Sequence, residues 1–303
     1  LSNPDPEKFT DTGTSLPGGS KPNRVLDGPG GQYFFKSGTV GDENAPAIAE
    51  LESAFYQMTE AVKPGQNIPV GIVTLDGKKG SIQALATPAT PPPPNPNDLT
   101  DENKTVLLAQ HALDMYIGDH DGHAGNLLMV DGQLRAIDKG QGLRFLIEGA
   151  AESLDPTFHD PTRNLSGKSY AKRLLLSWGA GETTIPLAAF KAMYKTILSI
   201  QTVFTVDYLT PMLSLAFDEF KFPPKKRDAL LKALVDRAST YEKDWLIVMK
   251  KLRSDFTWPT GVTIKASPSL QHSPDIMQFT EEEATLVKEA AQAGLQGKAL
   301  RID

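Results

Sequence analysis

Cysteine is absent from all 303 residues. That excludes disulfides, thiolate zinc sites and a cysteine nucleophile, and it leaves the redox compartment unread. Histidine is scarce, with five in all, so a histidine-rich metal centre has few ligands to draw on. No apolar run is long enough to span a membrane: the most hydrophobic stretch, IPLAAFKAMYKTILSIQTVF, is broken by Lys191 and Lys195. Positive charge is not in excess either. A net charge of −6 gives no global support for binding nucleic acid or an acidic membrane surface. The start carries no signal-peptide pattern and opens on Leu1 rather than Met, so we expect a piece of something longer. What is present is an ordinary soluble composition, 40% hydrophobic and 22% charged. The length suits two domains, or one domain of two lobes.

Residues 1–22 are polar and rich in Gly, Pro, Ser and Thr; residues 1–15 read as a flexible tail before the turn LPGGSKP. RVLD and QYFFK read as short strands around GPGG. Ile48, Leu51, Phe55, Met58 and Val62 recur at helical spacing, and Pro64-Gly65 ends that helix. IPVGIVTL and SIQALA read as two more strands joined by the DGKKG turn. A small sheet with one helix thus fills 16–86. TPATPPPPNPND holds six prolines and reads as a stiff linker over 87–100, with a polyproline ligand for a partner domain as its rival. Helical periodicity dominates 101–303: DENKTVLLAQHALDMYI, AKRLLLSW, the stretch ending QTVF, KKRDALLKALVDRASTYEKDWLIVMKKL, and a last helix opened by the Thr280/Glu283 capping box. The expected fold is α+β and bilobal, with a small β-rich lobe carrying one helix and a larger, mainly helical lobe.

The segment IGDHDGHAGNLLMVDGQLRAIDKGQG (Ile117–Gly142) concentrates acidic residues. Carboxylates crowded together need a shared metal or proton. An EF-hand with Gly122 at loop position 6 would put Ile117 at position 1 and Leu128 at position 12, which fails. A histidine-linked metal hydrolase could use His120, Asp121 and His123, but none of the other histidines (His111, His159, His272) forms a recognisable ligand pair. The third reading is phosphoryl transfer, in which an Asp takes the hydroxyl proton while an Asn five residues on and a later Asp hold Mg²⁺. Asp121 and Asn126 have that spacing, and LLMV-DGQ-LRAI is a hairpin that delivers Asp138 in an Asp-x-Gly. Phosphoryl transfer also demands a Gly-rich turn, a strand lysine and a helix carboxylate. Gly18-Gly19-Ser20, Lys36, and Glu50 or Glu52 stand in that order. Glu50 and Glu52 flank the apolar face of their helix about equally, so periodicity does not choose between them.

These residues resemble the atypical protein-kinase-like superfamily: HipA-type toxin kinases, actin-fragmin kinase, and phosphatidylinositol 3- and 4-kinases. SLPGGSKPN is similar to a Gly-x-x-Pro nucleotide loop, YFFK to the strand lysine, HDGHAGN to D-R-H-x-x-N, and AIDKGQG to the Asp-x-Gly metal loop. The resemblance covers roughly residues 15–145. It implies that Gly18, Gly19 and Ser20 cover the ATP phosphates, that Lys36 binds them, and that Glu50 pairs with Lys36. It implies Asp121 as base with His123 close by, and Asn126 and Asp138 as Mg²⁺ ligands. Asp119 competes for the base role, but lies seven residues from Asn126. Two positions depart from the pattern: Gly122 replaces the catalytic-loop Arg, and Lys139 replaces the usual Phe.

His111, Asp114 and His159 read as helix-surface or loop residues, Trp178 and Trp245 as core, and Lys225–Arg227 as a solvated turn. The segment after the metal loop mixes basic and acidic residues rather than clustering basic ones for an inositol phosphate headgroup, which favours a protein substrate. The resulting expectation is an ATP- and Mg²⁺-dependent kinase acting on a protein hydroxyl. Transfer of AMP or glutamate, a lipid kinase, and a nucleotide-binding scaffold without turnover are the alternatives. An effector or toxin module acting in a target-cell cytosol suits the fragment-like start.

Overall fold

Two Asp-Gly turns do much to set the register of the strands. In the computed structural model, which describes residues 5–14, 23–37, 43–65, 67–85, 88–119, 121–140, 142–143 and 169–264, Asp76-Gly77 and Asp131-Gly132 both have positive φ (51° and 72°, 50° and 77°). That is the two-residue hairpin geometry whose twist matches paired strands. The first turn joins β4 (Val70–Leu75) to β5 (Lys78–Ala84), pairing Leu75 with Lys78. Together with β1 (Thr10–Thr14), β2 (Asn23–Gly28) and β3 (Gly31–Ser37) they form an antiparallel sheet in the order β1-β2-β3-β5-β4. Leu26, Phe35, Val73 and Ile82 make its small core.

The edge strand β1 lies inside the segment read as a flexible tail. It is rich in threonine, whose β-branching favours the pleat. Thr12 Oγ1 donates to Val25 O at 2.8 Å, Asp11 pairs with Arg24 at 2.9 Å, and Phe9 meets Tyr33 edge to face.

The helix α1 (Ala45–Val62) lies against this sheet, but its apolar face, Leu51, Phe55 and Met58, belongs to the large core shared with the helical region. That region contains α2 (Asp101–Tyr116), α3 (Tyr170–Gly179), α4 (Leu187–Val203), α5 (Val206–Glu219) and α6 (Pro224–Leu252). The structure is therefore α+β, an antiparallel sheet region followed by a helical one, the bilobal form expected. Helix α5 was not foreseen; Pro211 inside it interrupts the helical pattern. Trp178 and Trp245 are buried, as expected of core residues.

The proline-rich segment, expected to be a linker, is tied into the structure by pairing and hydrogen bonds. Ala89–Thr90 (β6) pairs with β7 (Leu127–Val130), which pairs with β8 (Gln133–Ala136). Its Pro93 and Pro94 carbonyls accept from Tyr170 Oη at 2.6 Å and Arg173 Nη2 at 3.1 Å.

Candidate active site

The site begins where α2 stops. Gly118, with φ of 69°, follows the last helical turn; its amide donates to Met115 O at 3.2 Å and the Asp119 amide to Asp114 O at 2.8 Å. That pair of bonds is a glycine-ended helix stop, and it fixes where the acidic loop leaves the helix. Helix α2 is itself anchored: Thr100 caps it, Tyr116 Oη donates to Leu234 O at 3.0 Å, and Tyr241 Oη to Ala112 O at 2.5 Å. Asn103, buried near its start, donates to Gly132 O and accepts from the Leu134 amide, both at 2.9 Å. The Asp131-Gly132 hairpin, a plain turn as expected, is thereby pinned to α2.

Asp121 and His123 emerge from this loop half-exposed. His123 Nε2 lies 3.3 Å from Asp121 Oδ1, while His123 Nδ1 accepts the Gly125 amide at 2.9 Å. The second bond places the neutral imidazole's proton on Nε2, facing the carboxylate. Asn126 is buried, and its Nδ2 donates to the Asp121 carbonyl at 2.8 Å. With the amide nitrogen committed, Oδ1 is the atom Asn126 offers to a cation. The Ile137 amide donates to Asn126 O at 3.0 Å, so the hairpin sets Asn126 across from Ile137, one residue before Asp138. Asp138 adopts φ of 54°, a conformation that non-glycine residues hold only under local constraint.

Lys36 reaches the same place from β3. Its Nζ lies 2.7 Å from Asp138 Oδ1 and also contacts Glu52 Oε1. Burial opposes the charge on Lys36, but the Glu52 and Asp138 carboxylates outweigh it and hold the ammonium above its ordinary range. Burial likewise pushes Asp138 up; the Lys36 ammonium and the Gly140 amide prevail and hold it below the usual carboxylate range.

The partner of Lys36 is thus Glu52, which corrects the expected pairing with Glu50. Glu50 turns to Lys79 on β5 at 2.5 Å, and Lys79 also reaches Glu219 on α5 at 2.6 Å. Asp119 does not stand beside Asp121 as a second base candidate facing the cleft. Its side chain is 1% exposed, Oδ1 accepts the Asp121 amide at 3.0 Å, and Oδ2 lies 3.3 Å from Lys139. His111 and Asp114, read as surface or loop residues, are both buried on α2. The signal missed was that α2 is buried nearly all round, so its polar residues face inward. Gly122 O accepts the Tyr170 amide at 2.8 Å where the pattern has Arg.

Gly18, Gly19 and Ser20, like His120, His159, residues 144–168 and the stretch from Thr280 expected to be helical, lie outside the described residues. Among the described residues, no group of three or more His, Cys, Asp or Glu side chains is placed to hold a metal ion. No described helix is long and apolar enough to cross a membrane.

No protein-family model matches the chain, and no curated protein does. Among solved structures it is similar to the Helicobacter pylori proinflammatory kinase CtkA. The two share 11% identity at a TM-score of 0.47, over 82% of this chain and 97% of that one.

Proposed function

We propose that the chain is an ATP- and Mg²⁺-dependent phosphotransferase whose acceptor is a protein hydroxyl. One observation carries the reading: Lys36 and Asp138, 102 residues apart in sequence, meet at 2.7 Å with Glu52 on the same ammonium, at the end of the hairpin whose other strand begins beside Asn126. A strand lysine held by a helix carboxylate and by an aspartate that suits a hard divalent cation, with an asparagine on the paired strand of the same hairpin, is the equipment phosphoryl transfer needs.

In this reading the acceptor oxygen attacks the γ-phosphorus of ATP, the bond from that phosphorus to the β,γ-bridging oxygen breaks, and ADP leaves. Asp121 takes the acceptor's proton on its exposed carboxylate. The His123 N–H holds that carboxylate in one orientation. Lys36 exchanges its contact with Asp138 for the nucleotide phosphates, and Glu52 keeps it aimed. Asn126 Oδ1 and Asp138 would hold Mg²⁺, which when bound offsets charge on the phosphates. Catalysis then rests on positioning and electrostatics.

The test is the melting temperature of wild type and Asp138→Ala with and without Mg-ATP, followed by the mass of any product. Ligand at a hundred times its Kd adds about 2.7 kcal/mol, a shift of several degrees. A magnesium-dependent shift in the wild type alone, with a phosphate added to an acceptor protein, supports the reading. No shift at millimolar ATP overturns it, and an added nucleotide or amino acid redirects it to another transfer.

A further inference from the structure

Lys139 stands between the two loops of the site. Its side chain is 13% exposed, and its ammonium lies 2.9 Å from Asp114 Oδ1 and 3.3 Å from Asp119 Oδ2. Asp114 belongs to the last turn of α2, where Gln110 Nε2 also donates to it at 2.8 Å. Asp119 follows the helix stop, and its other oxygen accepts the Asp121 amide at 3.0 Å. A continuous path of contacts therefore runs from the backbone beside Asp138, through Lys139 and Asp119, to the backbone of Asp121.

We propose that Lys139 is a positioning residue, an ionic clamp that holds the metal loop and the catalytic loop in one register through Asp119. The proposal rests on the phosphotransferase reading for its catalytic consequence, not for its geometry. An apolar side chain at this position could fill space but could not grip. An ammonium between two buried carboxylates can, because withdrawing it leaves their charges uncompensated and out of water. Asp114 and Asp119 outweigh burial and keep Lys139 charged well above its ordinary range. The arrangement also separates the two aspartates of the loop: Asp119, 1% exposed, grips, and Asp121, 41% exposed, faces the acceptor.

The experiment compares wild type with Lys139→Met, Asp119→Asn and the double variant, using two readouts. The first is hydrogen exchange of peptides covering residues 117–128, set against peptides from α6. Lys139→Met should raise exchange in the loop while α6 keeps its protection. Asp119→Asn, which still accepts the Asp121 amide but loses its charge, should do so more mildly, and the double variant no more than Lys139→Met. Unchanged loop exchange in folded variants overturns the clamp. If Lys139→Met does not fold, Asp119→Asn decides by the same criterion.

The second readout is Mg-ATP-dependent ADP release. The clamp predicts kcat lowered about 10- to 100-fold by Lys139→Met, with the KM for ATP within about twofold of wild type. A raised KM at unchanged kcat overturns a positioning role. Wild type that releases no ADP defeats the phosphotransferase reading instead, and the exchange readout still decides whether the clamp exists.

Discussion

Lys36 Nζ and Asp138 Oδ1 lie 2.7 Å apart, and Glu52 closes on the same ammonium from α1. Glu52 is 2% exposed, so its charge is tolerated inside the protein only because Lys36 is there. Lys36→Met should therefore cost about 3 kcal/mol in a urea titration, and Lys36→Met/Glu52→Leu should recover most of it. Both variants should lose transfer by about 10²- to 10³-fold or more. A double variant as unstable as the single would show that Glu52 does not depend on Lys36.

The two glutamates of α1 should separate cleanly. Glu52→Gln removes the carboxylate that aims Lys36 and should lower kcat about 10- to 100-fold. Glu50→Gln removes one arm of the Glu50–Lys79–Glu219 bridge, which ties α1 and β5 to α5 and is partly exposed at Lys79 and Glu219. It should cost about 1 kcal/mol or less and leave kcat within about twofold. Because Glu50 and Glu219 share Lys79, Glu219→Gln on top of Glu50→Gln should cost more than its own effect alone, since it leaves Lys79 with neither carboxylate. Equal losses of kcat from Glu50→Gln and Glu52→Gln would contradict this division.

That division could not be read from the helical wheel, because it is made by residues far away in sequence. Lys36 arrives on β3, and Lys79 and Glu219 arrive on β5 and α5, the last a helix whose Pro211 hides its periodicity. What was legible had a local cause. The Asp131-Gly132 turn sets its hairpin, and the Asp121–Asn126 spacing survives folding as a hydrogen bond from Asn126 Nδ2 to the Asp121 carbonyl. Polarity misled on α2. Hydrophobic pattern assigns His111 and Asp114 to water, but a helix enclosed by α4, α6 and the hairpin turns them inward, where Lys139 and Gln110 satisfy Asp114. The strand β1 is held by an Arg24–Asp11 pair and a Thr12 hydroxyl rather than by alternating apolar residues, so it carried no strand pattern to find.

Gly140 is required by closeness. A Cβ there would lie 2.5 Å from Glu52 Oε1 and 3.1 Å from Ile48 Cγ2. The loop carrying Asp138 passes beneath α1 only because this residue has no side chain. Gly140→Ala must displace Glu52 from Lys36. We expect a loss of about 1–3 kcal/mol in thermal unfolding, together with weakened Mg-ATP stabilisation. In a Glu52→Ala background the same substitution should be nearly neutral. A cost that persists there would place the conflict on Ile48 instead.

Acid should weaken the fold through His111. Burial holds its imidazole neutral, down to about 3, and the Lys172 and Lys139 ammonium groups push the same way. In the unfolded chain a histidine titrates near 6.5. Between those values the unfolded chain binds a proton that the folded one refuses. Stability from this group is thus complete above about pH 6.5 and falls as pH drops toward 3, by up to about 1.4 kcal/mol per pH unit. Asp119 works in the opposite sense: burial raises it to about 6, against the pull of Lys139 and with help from Asp114. It therefore favours the folded state as pH falls through that range. The difference between wild type and His111→Phe isolates the histidine, since phenylalanine can keep the edge-to-face contact with Trp245. Melting temperatures measured from pH 7 to pH 4 should converge as the wild type loses its advantage, or cross in favour of His111→Phe. Parallel curves would mean that His111 takes up its proton in the folded protein as readily as in water.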